Sequence, residues 1–354
     1  MKNNDVAVTE KKKNNKALII AGPCSAETET QVMNIAKFLA ASGKVDLFRA
    51  GIWKPRTRPG SFEGVGSIGL KWLRQVKEEY GLPCCTEVAT AKHVYEALKY
   101  NIDTLWIGAR TTTNPFALQE IATALRGSKI NVMIKNPLNP DIELWTGAIE
   151  RIMKANVGQV SLIHRGFSIY EKHVYRNAPY WEISIELHKR FPELPLICDP
   201  SHLGGDKKYL YEISSKAIEL GYDGLMVETH PNPESALSDA KQQITGEEFL
   251  YLLEQLAITT HDERLNPIHK LRRTIDVIDD NLLDMIEQRM EVAKRIGKMK
   301  KYNNQKVIQR SRWNQVMLRL THKGKEKGLS DALIKHVFTA IHEESIRNQT
   351  EIVD

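Results

Sequence analysis

Eight short apolar runs, each leading into a stretch with helical spacing, occupy residues 17–230 and limit the folds open to this chain. The runs lie at 17–21, 46–50, 83–88, 104–108, 131–135, 159–164, 194–198 and 224–227. They are continuously apolar rather than alternating, as strands covered on both faces must be. Between them, 28–42, 67–80, 91–100, 115–125, 145–155, 181–191 and 209–220 carry helical patterns. Eight strands alternating with helices over roughly 230 residues is the arithmetic of a (β/α)8 TIM barrel. An open, doubly wound sheet is the alternative, though it normally uses fewer strands and a glycine-rich first turn.

After residue 267 the pattern changes and no strand-like run follows. Leu271, Ile275, Ile278, Leu282, Met285, Ala293 and Ile296 keep a helical spacing. A second helix is predicted over 307–325 and a third over 330–349, where Ser330 after Gly328 is a natural N-cap. These segments form an all-α domain of three helices, roughly 85 residues long by the same pattern count. Such a domain buries little by itself, so a partner surface is expected. The predicted order is an N-terminal arm at 1–15, a barrel at 16–258, a linker at 259–267 and the helical domain at 268–354.

Composition narrows the function classes. Hydrophobic residues make up 42% of the 354, ordinary for a globular protein. No apolar run approaches the ~18–20 residues of a membrane span, so no membrane association is expected. The charged start has no apolar core and does not read as a signal peptide. Four cysteines, Cys24, Cys84, Cys85 and Cys198, show no CxxC spacing, as in a reduced cytoplasmic chain. The net charge is +6, but Lys and Arg are spread along the chain, and the run Lys11–Lys13 reads as a solvated tail. No basic stripe with interleaved aromatics appears, so nucleic acid is not an expected partner. Cations converging on small anions explain the excess better.

TIM-barrel active sites are assembled at the C-terminal ends of the strands. The eight ends supply Gly22-Pro23-Cys24-Ser25; Arg49 and then Lys54-Pro55-Arg56-Thr57; Glu87; Arg110; Lys135; His164-Arg165-Gly166; Asp199-Pro200-Ser201-His202; and Glu228-Thr229-His230, with Asp239 beyond. Two sets stand out. Cys24, His202, Glu228 and Asp239 combine a thiol, an imidazole and two carboxylates, a donor set suited to divalent Mn, Fe, Co or Zn. Singly, each also reads as a buried structural cysteine or a helix-capping aspartate. The second set, Arg49, Lys54, Arg56, Arg110, Lys135 and Arg165, puts six cations on one rim, where buried cations need anions. Two phosphorylated substrates, one also a carboxylate, would balance them.

GPCS at 22–25, KPRT at 54–57, IGAR at 107–110, IK at 134–135, HRG at 164–166, DPSH at 199–202 and the pair around Glu228 and Asp239 resemble type I-beta 3-deoxy-D-arabino-heptulosonate 7-phosphate (DAHP) synthase. The resemblance covers about residues 16–255. It implies that Cys24, His202, Glu228 and Asp239 hold a divalent metal, with Mn2+ the first expectation and Co2+, Fe2+ or Zn2+ as alternatives. Arg110, Lys135 and Arg165 would bind phosphoenolpyruvate, with Arg49 and Lys54 nearby and Glu87 counted among the substrate-facing residues. Pro55, Arg56 and Thr57 would line the erythrose 4-phosphate site. Lys54 is the candidate proton donor to the forming alkoxide. The related octulosonate 8-phosphate synthases share the barrel and GPCS but usually carry a KAN-type segment where this chain has KPRT. That points to the four-carbon sugar phosphate, with an octulosonate-type synthase as the alternative.

The tail resembles chorismate mutase of the all-helical AroQ class over about residues 268–350, through Leu271-Arg272, Arg289, Gly297-Lys298-Met299-Lys300, Arg312 and Ser345 to Gln349. The resemblance implies that Arg272 (from a partner subunit), Arg289 and Arg312 hold the carboxylates of chorismate. Lys300 and Gln349 would meet its ether oxygen, where charge builds in the transition state. Gln309 and Trp313 stand where the family often has an Asp and a Glu. Gln can still hydrogen-bond, whereas Trp does not replace a carboxylate, so recognition of the substrate hydroxyl is expected to differ. A homodimer through this domain and feedback by prephenate complete the implied picture. The alternative is a catalytically weak domain that serves as ligand sensor and dimerisation module.

Overall fold

The computed structural model describes residues 17–55, 60–170, 173–260 and 267–353. Eight parallel strands close into a barrel in strict chain order. They are β1 (Leu18–Gly22), β2 (Leu47–Arg49), β3 (Cys84–Val88), β4 (Thr104–Ile107), β5 (Asn131–Lys135), β6 (Val160–His164), β7 (Leu196–Cys198) and β8 (Gly224–Glu228). Closure is made by β1 on β8, with Leu18 opposite Gly224 and Gly22 opposite Glu228. The open-sheet alternative is therefore set aside. A GxGxxG spacing does occur at Gly64, Gly66 and Gly69, but it follows a long loop rather than a strand. In a closed sheet it has no dinucleotide-binding crevice beside it.

Around the barrel run α1 (Glu29–Ser42), α2 (Ile68–Tyr80), α3 (Ala91–Lys99), α4 (Ala109–Thr112), α5 (Pro115–Leu125), α6 (Ile142–Met153), α7 (Trp181–Arg190), α8 (Pro200–Gly204), α9 (Leu210–Glu219) and α10 (Gly246–Thr260). Their starts follow from capping chemistry. Thr28, Thr90 and Asn114 each accept a backbone N–H two or three residues on. Asp141 does the same for Glu143 and Leu144, so α6 begins at Ile142, three residues before the periodic pattern suggests. Short α4 and α8, directly after β4 and β7, were not legible as helices.

One residue from each strand builds a buried ring across the barrel: Ile20, Leu47, Cys85, Trp106, Met133, Ile163, Ile197 and Met226. Side chains alternate along a strand, so residues two further on point the same way. That rule places Gly22, Arg49, Glu87, Gly108, Lys135, Arg165, Asp199 and Glu228 in the next layer, at the strands' C-terminal ends. An apolar floor thus lies directly beneath a layer dominated by charges. Gly108 is small for a reason: a Cβ there would lie 2.1 Å from Glu87 Oε1.

The chain divides into two compact units between Arg273 and Thr274. The second contains most of α11 (Pro267–Tyr302), then α12 (Arg310–Glu326) and α13 (Asp331–Val353). Ser330 caps α13 as expected, its Oγ accepting from Leu333 N at 3.2 Å. Gly297 lets α11 and α13 come close, since a Cβ there would stand 3.2 Å from Gln349 Cα. The predicted arm at 1–15 lies outside the described residues, as do residues 261–266 of the predicted linker. Residues 259 and 260 belong to α10, and Pro267 opens α11. Among the described residues, no helix is long and apolar enough to cross a membrane.

Candidate active sites

At the barrel mouth the charged layer is organised by ion pairs. Arg49, fully buried at the end of β2, places Nη2 2.9 Å from Glu228 Oε1. Its guanidinium lies 5.0 Å above the Trp106 ring, so the floor of the site is also a cation–π surface. Lys135 Nζ donates to Asp199 Oδ2 at 2.8 Å, and His202 Nδ1 stands 2.8 Å from the same oxygen. Trp106 Nε1 donates to Glu87 Oε2 at 3.0 Å. Burial, the largest single influence, would raise the Asp199 and Glu228 carboxyls, but the positive groups around them together outweigh it: His202, Lys135 and Arg49 at Asp199, and His202, Arg49 and Lys54 at Glu228. Both therefore stay below the ordinary carboxylate range and ionised.

The four residues expected to ligate a metal sit at this mouth and approach one another in pairs. Cys24 Sγ is 3.5 Å from Asp239 Oδ2, and His202 Nε2 is 3.7 Å from Glu228 Oε1. Among the described residues, however, no group of three or more His, Cys, Asp or Glu forms a metal-holding cluster. Lys54 Nζ instead donates to Cys24 Sγ at 3.1 Å. The donor chemistry still fits a cation. Burial and the nearby Glu228 push the Cys24 thiol up to about 11, so without further positive charge it stays protonated. A divalent ion lowers the pKa of a coordinating thiol strongly. Asp239 is held in a left-handed backbone conformation, φ 47°, and accepts from Arg176 Nη1 at 2.9 Å.

The cation set is partly assembled. Arg49, Lys135 and Arg165 are buried, and Arg110 is exposed. Arg165 Nη1 donates to Asn177 Oδ1 at 2.8 Å. Burial first, and then the Arg176 and Arg110 charges, lower the Arg165 pKa to about 10. Among the described residues, buried Arg49 Nε and Nη1 find no hydrogen-bond partner. Clustered cations with unused donors are the electrostatic signature of a site for an anion. Lys54 and Pro55 lie at the mouth of the loop after β2, while Arg56 and Thr57 lie outside the described residues.

Two strand-end readings change. His164 has the opposite parity to Ile163 and faces away from the barrel axis. It packs among Trp145, Phe167, Trp181 and Tyr222, with Tyr222 Oη 2.8 Å from its Nδ1. It is a core histidine rather than a rim group. Asp199, in contrast, is central, as the two-residue period from Ile197 would have indicated. Arg176, Asn136 and Asn177 reach the site from loops and neighbouring positions that no periodicity marks. Asn136 Oδ1 accepts from Arg165 N at 2.7 Å and its Nδ2 donates to Gly166 O, so it fixes the Arg165 turn.

In the helical unit, α11 and α13 bring a second set together. Lys300 Nζ donates to Gln349 Oε1 at 3.0 Å and to Val307 O at 2.7 Å. Arg289 Nη1 donates to Ile341 O at 3.1 Å and to Ser345 Oγ. Arg272 and Arg312 are exposed on α11 and α12. Gln309 is the N-cap position of α12, and Trp313 stacks on His342, ring centroids 3.9 Å apart and planes 4° from parallel.

Comparison with known proteins matches both units. Residues 5–262 match the family described as "DAHP synthetase I family", and residues 271–350 match "Chorismate mutase type II". The chain is 36% identical over 239 residues to a phospho-2-dehydro-3-deoxyheptonate aldolase of Thermotoga maritima, covering 67% of this chain and 68% of that protein. It is 28% identical to a 2-dehydro-3-deoxyphosphooctonate aldolase of Francisella tularensis, covering 67% of this chain and 90% of the relative. Among solved structures, the Thermotoga maritima DAHP synthase superposes with a TM-score of 0.61 at 33% identity, covering 70% of this chain and 69% of that one. A truncated form of the Thermotoga enzyme gives 0.59 at 31% identity, covering 70% and 87%. A closed eight-stranded barrel with a charged mouth, followed by a helical unit with its own cationic cluster, therefore belongs to the DAHP synthetase I family and carries a C-terminal chorismate mutase type II domain, the composition of a bifunctional shikimate-pathway enzyme.

Proposed function

We propose that the barrel condenses phosphoenolpyruvate with erythrose 4-phosphate to DAHP and phosphate, and that the helical unit rearranges chorismate to prephenate. The observation that carries the barrel reading is the buried cation layer of Arg49, Lys135 and Arg165, above all Arg49, whose Nε and Nη1 have no hydrogen-bond partner among the described residues. Lys135, Arg165 and Arg110 take the phosphate and carboxylate of phosphoenolpyruvate, with Arg49 and Lys54 adjoining and Glu87 positioned by Trp106. Pro55, Arg56 and Thr57 line the sugar phosphate. Cys24, His202, Glu228 and Asp239 would hold a divalent ion, with Mn2+ the first choice. When bound, that ion supplies Lewis-acid polarisation of a carbonyl oxygen. Lys54, raised above the ordinary lysine range because Cys24 and Glu228 outweigh the cost of its burial, carries a proton to donate to a developing alkoxide.

In the helical unit, Arg289 with Arg312 and a partner subunit's Arg272 would hold the two carboxylates, and Lys300 and Gln349 the ether oxygen. Ile275, Ile278, Leu282 and Met285 are exposed along α11 in the single chain, an apolar stripe that a second copy of this domain would cover. Prephenate returning to this domain would inhibit the barrel reaction. The test is direct. The full-length protein with Mn2+ should consume phosphoenolpyruvate with erythrose 4-phosphate but not with arabinose 5-phosphate, and should consume chorismate. The reverse sugar preference would favour the octulosonate reading, and absence of chorismate turnover would favour a sensor domain. Unchanged synthase kinetics in the presence of prephenate would remove the feedback.

A further inference from the structure

The helical-unit site contains a titratable group that none of the roles above uses. On α13, His342, Ser345 and Gln349 are spaced i, i+3 and i+7, so they share one face. Ser345 and Gln349 on that face meet Arg289 and Lys300 of α11. Those two cations are eleven residues apart, close to three full turns, and therefore lie on one face of α11. His342 is thus the next position along a stripe already engaged with the cations. Its ring is held flat against Trp313 of α12, so all three helices contribute to the same locality. The charges facing it are Arg289 and Lys300 from α11 and Glu343 on its own helix, while α12 presents Trp313.

We propose that His342 is a third cationic contact of this site, neutral in the free protein and protonated when a small dianion binds. This rests on the reading of the helical unit as a chorismate–prephenate site. Burial first, and then Arg289 and Lys300, hold the His342 imidazole below the ordinary histidine range. A dicarboxylate between those cations cancels the repulsion and favours the imidazolium. Binding then takes up a proton at His342, and affinity rises as pH falls. Trp313 keeps the ring in place in both charge states, since its face accepts an imidazolium as readily as an imidazole. The ligand's carboxylates titrate well below neutrality, so the proton does not come from that side.

The experiment is calorimetric titration of the full-length protein with prephenate, in buffers of different ionisation enthalpy, from about pH 8 to about pH 6, where histidine titrates. The expected result is net proton uptake and an affinity that rises several-fold toward pH 6. A bound-state rise of one pKa unit would cap that gain at roughly tenfold. His342→Phe keeps a ring on Trp313 but no titrating group, and should bind with neither uptake nor pH slope. His342→Gln, a polar replacement without charge, should behave likewise and guards against misfolding of the first variant. Wild-type binding without proton uptake overturns the proposal, and so does the same uptake in both folded variants. If prephenate and chorismate do not bind at all, the functional reading of the domain fails and this inference falls with it.

Discussion

Arg49 Nη2 stands 2.9 Å from Glu228 Oε1, with neither side chain exposed to solvent. The pair joins β2 to β8 across β1, one layer above the apolar ring. Removing one member leaves the other as an uncompensated buried charge. Arg49→Met should therefore destabilise the protein by about 3–5 kcal/mol, and Glu228→Met by a similar amount. The double substitution should cost far less than the sum, because no charge is then stranded. Denaturant unfolding of the four proteins tests this. Additive costs would show that the two side chains act independently.

Gly108 and Glu87 form a second relationship in the same layer. Alanine at 108 would drive its Cβ against Glu87 Oε1, and a shift of that carboxylate would disturb the hydrogen bond that its Oε2 accepts from Trp106 Nε1. Gly108→Ala should lower stability by about 1–3 kcal/mol, the usual cost of overpacking a fitted interior. It should also raise the KM for phosphoenolpyruvate, since Trp106 underlies both Arg49 and Lys135. Adding Glu87→Ala removes the overlap and should recover part of the stability. A single variant as stable and as active as the parent would show that Glu87 has room to move.

Much of this site was legible because strand parity is a rigid rule. Once Ile20, Leu47, Met133, Ile163, Ile197 and Met226 are taken as the inward ring, the next inward residues follow by counting two. That count finds Arg49, Lys135, Asp199 and Glu228, and it also removes His164 from the rim. The α6 start was misread because Asp141 supplies the cap before the apolar period begins. Arg176 and Asn177 were invisible because they come from the long β6–α7 connection, whose path is set by tertiary contacts and not by period. The His342–Trp313 stack was equally hidden, since it depends on how α12 lies against α13.

His164, on the outward face of β6, gives a pH prediction. Burial, with the neighbouring Arg165 charge in support, lowers its pKa from the ordinary value to about 3. In the unfolded chain it titrates near 6.5. Above that value both states are neutral, and the histidine imposes no penalty. As pH falls below it, the unfolded state takes up a proton that the folded state refuses, so stability declines by about 1.4 kcal/mol per pH unit from this group. His164→Phe keeps an aromatic among Trp145, Phe167 and Trp181, and Tyr222 retains Ser184 as a hydrogen-bond partner at 2.6 Å. Unfolding free energies measured between about pH 7.5 and about pH 5 should fall less steeply in the variant by that amount. Equal slopes would mean that His164 is protonated in the folded protein.

Substitution of Lys300 should separate the two activities. Its ammonium is held between Val307 O and Gln349 Oε1, so it is preplaced rather than searching for its target. Preplaced donors contribute most where charge develops, and deleting one typically costs about 10²–10³-fold in kcat. Lys300→Met, which keeps most of the side-chain length, should slow chorismate consumption by that factor while phosphoenolpyruvate consumption stays at the parent rate. Gln349→Leu should give a smaller loss in the same assay, because it removes a neutral partner. If Lys300→Met leaves chorismate turnover within a few-fold of the parent, the ether-oxygen role assigned to this lysine is wrong. Confinement by the arginines would then account for the acceleration.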